Sequence, residues 1–155
     1  MTLHPEGRAT PATRRLRQPA VLAWLRLARV FQKIDRLAAD HLRCSGLSTA
    51  QFDVLTHVGA ADGIVQQQLA DSLLVTKGNI CQLLDKMERA GLLVRCPEGR
   101  TNRLHLTERG RDLLARVAPQ HEALIAQQLS SLAPGEQRQL LRLLHRLDHS
   151  LARSR

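Results

Sequence analysis

One stretch of the chain combines small, polar and basic side chains in a pattern suited to nucleic acid. Asn79 and Gln82 each carry an amide that can donate and accept hydrogen bonds, as the edge of adenine requires. Thr76 and Lys77 suit phosphate contacts, which position a protein on DNA without specifying sequence. Gly78 removes bulk where a backbone would approach DNA most closely. These residues therefore predict contacts to the bases and backbone of double-stranded DNA.

The same stretch predicts a helix with one buried and one exposed face. At about 100° per residue, four apolar side chains fall in one sector: Ile80, Leu83, Leu84 and Met87. The opposite side holds Gly78, Gln82, Asp85 and Arg89, with Asn79 and Lys86 on one flank and Cys81 on the other. The first turn of such a helix presents free backbone N–H groups and a positive dipole to phosphates. We therefore expect this helix to enter the major groove, with Lys86 among its contacts.

A β-hairpin with a basic turn is predicted directly after this helix. Residues 92–106 favour a strand, a turn over residues 97–100 and a returning strand. The polar side chains around the turn are Arg100, Asn102 and Arg103. An arginine on a projecting turn can enter the minor groove of DNA. Glu98 can orient one of the two arginines through an ion pair, and the sequence leaves open which one.

The chain before this region favours three helices with clear start and stop signals. An apolar stripe at helical spacing begins at Pro19 and ends before Gly46. Ser48 and Gln51 form a capping-box signature for the second helix. A short third helix is predicted to begin at Gln66, and we predict that Gln66 also contacts DNA.

Two further helices are predicted towards the C-terminus. Gly91 ends the DNA-contacting helix, Thr107 can cap a long helix, and Pro134 starts the last one. The last helix carries a seam of leucines suited to another helix: Leu140, Leu144, Leu147 and Leu151. Because the terminal helices carry more apolar surface than one small lobe covers, we expect them to pair with a second copy of the chain. An intrachain bundle is the alternative.

These patterns divide the chain into four parts. We predict a flexible basic arm over residues 1–18, an N-terminal dimerisation helix over 19–47, a winged helix-turn-helix lobe over 48–110 and C-terminal dimerisation helices over 111–155. The predicted fold class is mainly α, with a small two-stranded β-wing.

Composition agrees with a helical, polyanion-binding protein. The 155 residues carry a formal net charge of +9, and aromatic residues make up only 2% of them. Basic charge is absent from residues 48–75, which contain no Lys or Arg. No apolar run approaches the ~18 residues of a membrane span, so we expect no membrane partner. The chain has three cysteines, and this odd number favours a reduced, cytoplasmic protein. We expect no enzyme activity and no cofactor, because no phosphate-binding loop or nucleophile motif is present.

Two segments resemble the MarR family of bacterial transcriptional regulators. They are TKGNICQLLDKMERAGL from Thr76 and GRTNRLHLTERG from Gly99. The resemblance implies a winged helix-turn-helix homodimer that represses by covering a near-palindromic promoter site and is released by a small-molecule effector. Many members carry Asp-Arg-Arg or Asp-x-Arg in the wing, where the acid braces the arginine. This chain has Glu98-Gly99-Arg100, so Arg100 matches the wing arginine best.

The resemblance also implies a ligand pocket between the dimerisation helices and the DNA-binding lobe. By position, its candidate residues are Phe31, His41, Phe52 and His57. Two residue pairs have metal-ligand spacing, His145 with His149 and His41 with Cys44, but neither has a third ligand, so we predict no metal site.

Two other functions stay open at this point. One is a helical interaction protein or a non-specific nucleic-acid binder that uses the same lobe. The other is a redox-sensing regulator that uses Cys44, Cys81 or Cys96. Peroxide-sensing relatives pair an N-terminal cysteine with tyrosines, whereas this chain has no tyrosine and no cysteine before Cys44.

Overall fold

A computed structural model describes residues 18–73 and 76–153 of the chain. The predicted basic arm, except for its last residue, and the predicted link at residues 74–75 lie outside the described residues. The side chain of Lys77 lies outside them as well.

Within the described residues the protein has six helices and three short strands, so the mainly helical fold class is confirmed. The helices are α1 (Pro19–Cys44), α2 (Thr49–Ala60), α3 (Gln66–Ser72), α4 (Lys77–Arg89), α5 (Glu108–Gln128) and α6 (Pro134–Ala152). The strands are β1 (Ile64–Val65), β2 (Leu93–Glu98) and β3 (Thr101–Leu106).

The sheet has three antiparallel strands in the order β1, β3, β2. The predicted two-stranded wing is present as β2 and β3, and β1 adds a third strand that was not predicted. Strand β1 pairs Ile64 with Leu104 and Val65 with Arg103. The backbone N–H of Gly63 adds a bond of 3.0 Å to the Leu104 carbonyl. A two-residue strand has no alternation that a sequence can display, and only its pairing with β3 defines it.

The hairpin between β2 and β3 is tighter than predicted. Pro97 pairs with Asn102 and Glu98 with Thr101, which leaves only Gly99 and Arg100 in the turn. Gly99 has a φ of +61°, a conformation that suits glycine and that two-residue hairpins favour.

Side-chain caps start three helices, and the caps at Ser48 and Thr107 are the predicted ones. The Ser48 hydroxyl accepts a bond from the Gln51 N–H while the Gln51 side chain accepts one from the Ser48 N–H, a complete capping box. The hydroxyls of Thr76 and Thr107 cap α4 and α5 in the same way.

The chain divides into two compact units within α1, between Leu37 and Ala38. The first unit contains the helix from Pro19 to Leu37, and most of its apolar side chains are exposed, including Trp24 and Phe31 at 64% each. The second unit contains every other element.

The second unit has one hydrophobic core. Its fully buried side chains come from α1, α2, α3, α4 and the sheet, and the largest are Leu42, Leu55, Leu69, Ile80, Leu84, Met87, Leu93 and Leu104. This core fixes α3 and α4 against the sheet, and therefore sets where their outer faces point.

Helix α6 buries none of its described residues. Four of its leucines are at least half exposed, with Leu141 at 68% and Leu151 at 60%. In the described part of the chain, no helix is long and apolar enough to cross a membrane.

Candidate DNA-binding surface

Helix α4 has the two faces that its sequence predicts, with one exception. Ile80, Leu84 and Met87 are buried, and Leu83 is partly buried against the same core. The outer face carries exposed Gly78, Asn79, Gln82, Lys86 and Arg89. The exception is Asp85, which is half-buried and bonded to Arg95.

The first turn of α4 is open to a ligand. The Thr76 hydroxyl accepts a hydrogen bond from the Asn79 N–H at 3.3 Å, so Thr76 acts as the helix cap. A Cβ atom built on Gly78 would meet no atom within 4 Å. Glycine is therefore not required here by the protein itself, and the free space lies where a bound molecule would approach the helix.

Gln66 lies at the start of α3 and contacts α4. Its Nε2 atom lies 3.1 Å from the Cys81 sulphur, and its Oε1 atom is buried without a hydrogen-bond partner. The side chain therefore links the two helices of the helix-turn-helix, with one amide oxygen still unsatisfied.

The wing turn presents one arginine without a partner. Arg100 is exposed, and no hydrogen bond or ion pair connects it to any described residue. It sits at the tip of the hairpin beside Gly99, where the chain projects furthest from the three-stranded part of the sheet.

Arg103 is held by the wing itself. Its Nη1 atom donates to the Gly63 carbonyl at 3.0 Å, and its Nε atom pairs with the Glu98 carboxylate. Glu98 therefore orients Arg103 and leaves Arg100 free.

A cleft of about 220 Å³ brings together three of the predicted contact residues. Gln66 of α3 lines one side, and Arg100 and Asn102 of the wing line the other. Ile80 of α4 also lines this cleft, which places the wing, α3 and α4 around a single concave surface.

A third arginine of the wing, Arg95, joins β2 to α4. Its backbone N–H and Nε donate to Glu88 at 3.1 and 3.0 Å, and its Nη2 donates to Glu88 at 2.7 Å and to Asp85 at 2.5 Å. These bonds lower the pKa of Glu88, chiefly through the side-chain hydrogen bond from Arg95, and raise that of Arg95. This network was not predicted from the sequence, although Asp85 and Glu88, which lie one turn apart on α4, were a visible sign of it.

Helix α4 ends in a close contact with the start of α5. The Thr107 hydroxyl donates to the Gly91 carbonyl at 2.6 Å, and the Thr107 N–H donates to the Leu92 carbonyl at 3.1 Å. A Cβ atom on Gly110 would lie 2.0 Å from the Leu92 carbonyl oxygen, so only glycine permits this approach.

Comparison with known proteins places this fold. A model of the MarR family matches residues 45–103. The uncharacterized HTH-type transcriptional regulator YkoM of Bacillus subtilis is 35% identical over 127 residues, which cover 77% of this chain and 82% of YkoM. The chain belongs to the MarR family. It is a transcriptional regulator with a winged helix-turn-helix.

Two solved structures of family members are similar to it. A cysteine-to-serine mutant of MarR from E. coli, complexed with operator DNA, is 25% identical with a TM-score of 0.76, over 83% of this chain and 94% of that one. A MarR family protein of Mycobacterium tuberculosis, complexed with salicylic acid, is 28% identical with a TM-score of 0.65, over 84% of this chain and 96% of that one.

The predicted ligand pocket of this MarR-family chain is only partly assembled in the structure. His41 of α1, Phe52 of α2 and His121 of α5 form a ring cluster, with centroids 4.5 Å apart for Phe52–His121 and 5.9 Å for His41–His121. His41 Nε2 and His121 Nδ1 are buried without a partner. His121 was not among the residues predicted for the pocket.

The other two predicted pocket residues have different surroundings. His57 Nδ1 donates to the Asp53 carbonyl at 2.8 Å on its own helix. Phe31 belongs to the first compact unit, where it is exposed.

Burial lowers the pKa of His121, and the neighbouring His41 lowers it further. The ring is therefore kept neutral at a lower pH than an exposed histidine.

The three cysteines of the MarR-family chain are free. Cys44 and Cys96 are exposed and Cys81 is half-buried. Among the described residues, no group of three or more His, Cys, Asp or Glu side chains is arranged to hold a metal ion.

Proposed function

We propose that this MarR-family regulator is a homodimeric repressor that binds a near-palindromic promoter site and is released by a small-molecule effector. The observation that carries the proposal is the joint exposure, in the second unit, of the polar outer face of α4 and of Arg100, which bonds to no described residue. A helix in the major groove and an arginine in the adjacent minor groove fit such a surface.

We assign base recognition to the exposed amides of α4. Gln82 and Asn79 are exposed on its outer face and can present a donor and an acceptor to adenine. Thr76, Lys77 and Lys86 are the proposed phosphate contacts, and the open space at Gly78 admits the DNA backbone or a base edge.

In the wing, the proposed roles of the two arginines differ. Arg100 has no internal partner and is the minor-groove contact. Arg103 is engaged by Glu98 and Gly63, and it holds the hairpin in the orientation that Arg100 needs.

A second copy of the chain accounts for the apolar surface of the terminal helices. All the exposed large apolar side chains among the described residues, apart from Val94, belong to α1 and α6. Surfaces of this kind mark interfaces between proteins. A symmetric pair of chains presents two recognition helices, which is why the proposed site is a near-palindrome.

The family members with known complexes support the proposal. The E. coli MarR mutant was solved with operator DNA, and the Mycobacterium tuberculosis protein with salicylic acid. A transcriptional regulator that binds both kinds of partner is the simplest model for this chain.

Selection of bound duplexes from a random pool tests the proposal directly. We expect an enriched near-palindrome whose half-sites are about one helical turn, or 34–36 Å, apart. The enriched duplex should bind at least about a thousandfold more tightly than random duplex at the same salt concentration. Equal affinity for both would contradict the proposal and favour non-specific nucleic-acid binding.

Gln82→Ala tests the assignment of base recognition. We expect a loss of about 1–3 kcal/mol on the enriched duplex, with little change on random duplex. The matched control is Gln139→Ala, because Gln139 is an exposed glutamine on α6. An equal loss on both duplexes would show that Gln82 contacts phosphate and not a base.

A further inference from the structure

The side of α6 opposite its leucine seam is basic. At about 100° per residue, four arginines and two histidines fall in one sector, half a turn away from the seam. They are Arg138, Arg142, His145, Arg146, His149 and Arg153, and all of them are exposed. We call this set the basic face.

The charge of the basic face serves no contact within the described chain. None of its six residues makes a hydrogen bond or ion pair with a described residue. The two acidic residues of α6, Glu136 and Asp148, lie outside the sector, and Glu136 bonds to the Ala133 N–H. The positive charge is therefore available to a partner outside the chain.

The length of the basic face suits a polyanion. From Arg138 to Arg153 it extends about 22 Å along the helix, at 1.5 Å per residue. Double-stranded DNA carries about a dozen negative charges over that length of its axis. Arginine is the side chain best suited to binding phosphate oxygens in pairs.

The chemistry of the sector favours nucleic acid over a protein or a lipid surface. The sector of α6 contains no apolar side chain, whereas interfaces between proteins have an apolar centre from which charges are depleted. An amphipathic helix binds a membrane by inserting its apolar side. Inserting the leucines of α6 would turn the basic face away from the lipid headgroups.

The symmetry of a dimer separates the basic face from the promoter duplex. This geometry rests on the proposed homodimer, in which two copies of α6 pair through their leucines. The two basic faces then point away from each other and perpendicular to the two-fold axis. The promoter duplex crosses that axis at one end of the dimer, because each copy of α4 takes one half-site.

We propose that the basic face of α6 binds the phosphate backbone of a second DNA segment. A dimer on its promoter site then holds another duplex beside it. Phosphate contacts position a protein without reading sequence, so we expect the second segment to have no preferred sequence.

Capture of a second duplex tests the proposal. The selected duplex is fixed to a surface, saturated with the full-length protein and washed, and a labelled duplex of random sequence is added. We expect wild type to retain the labelled duplex, and the variant R138Q/R142Q/R146Q to retain at least about tenfold less at equal protein loading. The dependence of log affinity on log salt concentration should be shallower by about 2.7 in the variant, because three phosphate contacts are lost. Equal retention by wild type and variant would overturn the proposal.

The variant R138K/R142K/R146K separates charge from folding. It keeps three positive charges at the same positions, so it should retain most of the captured duplex. Loss of capture in this variant together with a lowered melting temperature would attribute the effect to folding and overturn the proposal.

The variant R26Q/R29Q/R36Q is the control for net charge. It removes three exposed arginines from α1 and should capture the second duplex as wild type does. A loss equal to that of R138Q/R142Q/R146Q would show that total charge is responsible, and the basic face would lose its assignment.

Two further outcomes distinguish the alternatives. Sedimentation with phosphatidylserine vesicles that depends on Arg138, Arg142 and Arg146, without capture of DNA, would overturn the proposal in favour of a membrane surface. If selection enriches no sequence, the proposed function fails instead. Capture is then repeated with random duplex on the surface, and the difference between wild type and R138Q/R142Q/R146Q still decides the role of the basic face.

Discussion

Gly78 is a residue at which stability and recognition make opposite demands. It occupies the second position of α4, where alanine would favour the helix, and no neighbouring atom would obstruct a methyl group. Nothing in the protein itself therefore explains a glycine at this site. A DNA surface close to the first turn of α4 does explain it.

We predict that Gly78→Ala stabilises the free protein by up to about 1 kcal/mol and weakens binding to the selected duplex. Thermal unfolding and titration with labelled duplex measure the two effects separately. The control is Gly135→Ala, at the second position of α6, where an added Cβ would have its nearest neighbour 4.0 Å away. That variant should gain similar stability and keep its affinity. Undiminished affinity in Gly78→Ala would remove α4 from the proposed interface.

For single residues, the sequence predicted which side chains are exposed better than it predicted which side chains bond to each other. The outer face of α4 was predicted correctly except for Asp85, because helical periodicity depends only on neighbours along the chain. The bond from Arg95 to Asp85 spans ten residues and two elements. No local pattern specifies which of several arginines an acid will meet.

At the scale of elements, the wing separates a supporting arginine from a contacting one. Arg103 bonds to both Glu98 and the turn before β1, whereas Arg100 bonds to no described residue. The same charge therefore serves stability at one position and is available to DNA at the other.

We predict that Arg100→Ala weakens DNA binding without changing the melting temperature, because it removes no internal contact. Arg103→Ala should lower both the affinity for DNA and the melting temperature, because the Gly63 carbonyl and Glu98 lose their donor. Paired melting curves and DNA titrations check this. Glu98→Gln should resemble a mild form of Arg103→Ala. A stable Arg103→Ala variant with full loss of binding would reverse the two assignments.

The burial of His121 between α1, α2 and α5 should make the stability of the protein depend on pH. The pKa of His121 is lowered in the folded protein, so between that value and its ordinary 6.5 the unfolded chain binds more protons. Stability contributed by the neutral ring is complete above pH 6.5 and is lost as the pH falls below it. Nearby Asp53 and Glu122 oppose the shift without cancelling it.

His121→Phe should flatten this dependence, because phenylalanine keeps the contact with Phe52 and cannot be protonated. Thermal unfolding of both proteins between pH 5 and pH 7.5 measures the slope, which should be smaller in the variant. His149→Gln, which changes an exposed histidine of α6, should keep the wild-type slope. Identical slopes for wild type and His121→Phe would show that His121 does not set the dependence.

Elements defined by local chemistry were the most predictable. The capping residues Ser48 and Thr107 and the left-handed Gly91 were identified from sequence, because each acts within one turn of its helix. Strand β1 was missed because its two residues gain their identity only from β3.

At the scale of the whole molecule, the leucine seam of α6 carries the test of the dimer. Leu147 and Leu151 are 50% and 60% exposed in the single chain. We predict that Leu147→Glu converts the protein from twice the chain mass of 17.3 kDa to a single chain mass at micromolar concentration. Sedimentation or light scattering measures this.

Arg142→Glu provides the control for this variant. It places the same acidic side chain on the face of α6 opposite the leucine seam and should preserve the dimer. A wild-type mass of one chain would contradict the dimer, and unchanged mass in Leu147→Glu would place the interface elsewhere.

The short strand β1 has a consequence for operator architecture. Val65 pairs with Arg103 in the sheet, and α3 begins at the very next residue, Gln66. The wing and the helix-turn-helix are therefore joined without an intervening loop, so the spacing between them is fixed. Base-pair insertions within a half-site should abolish binding by one subunit, whereas insertions between half-sites strain only the connection between subunits. The tolerated variation among natural operators should therefore fall in the spacer.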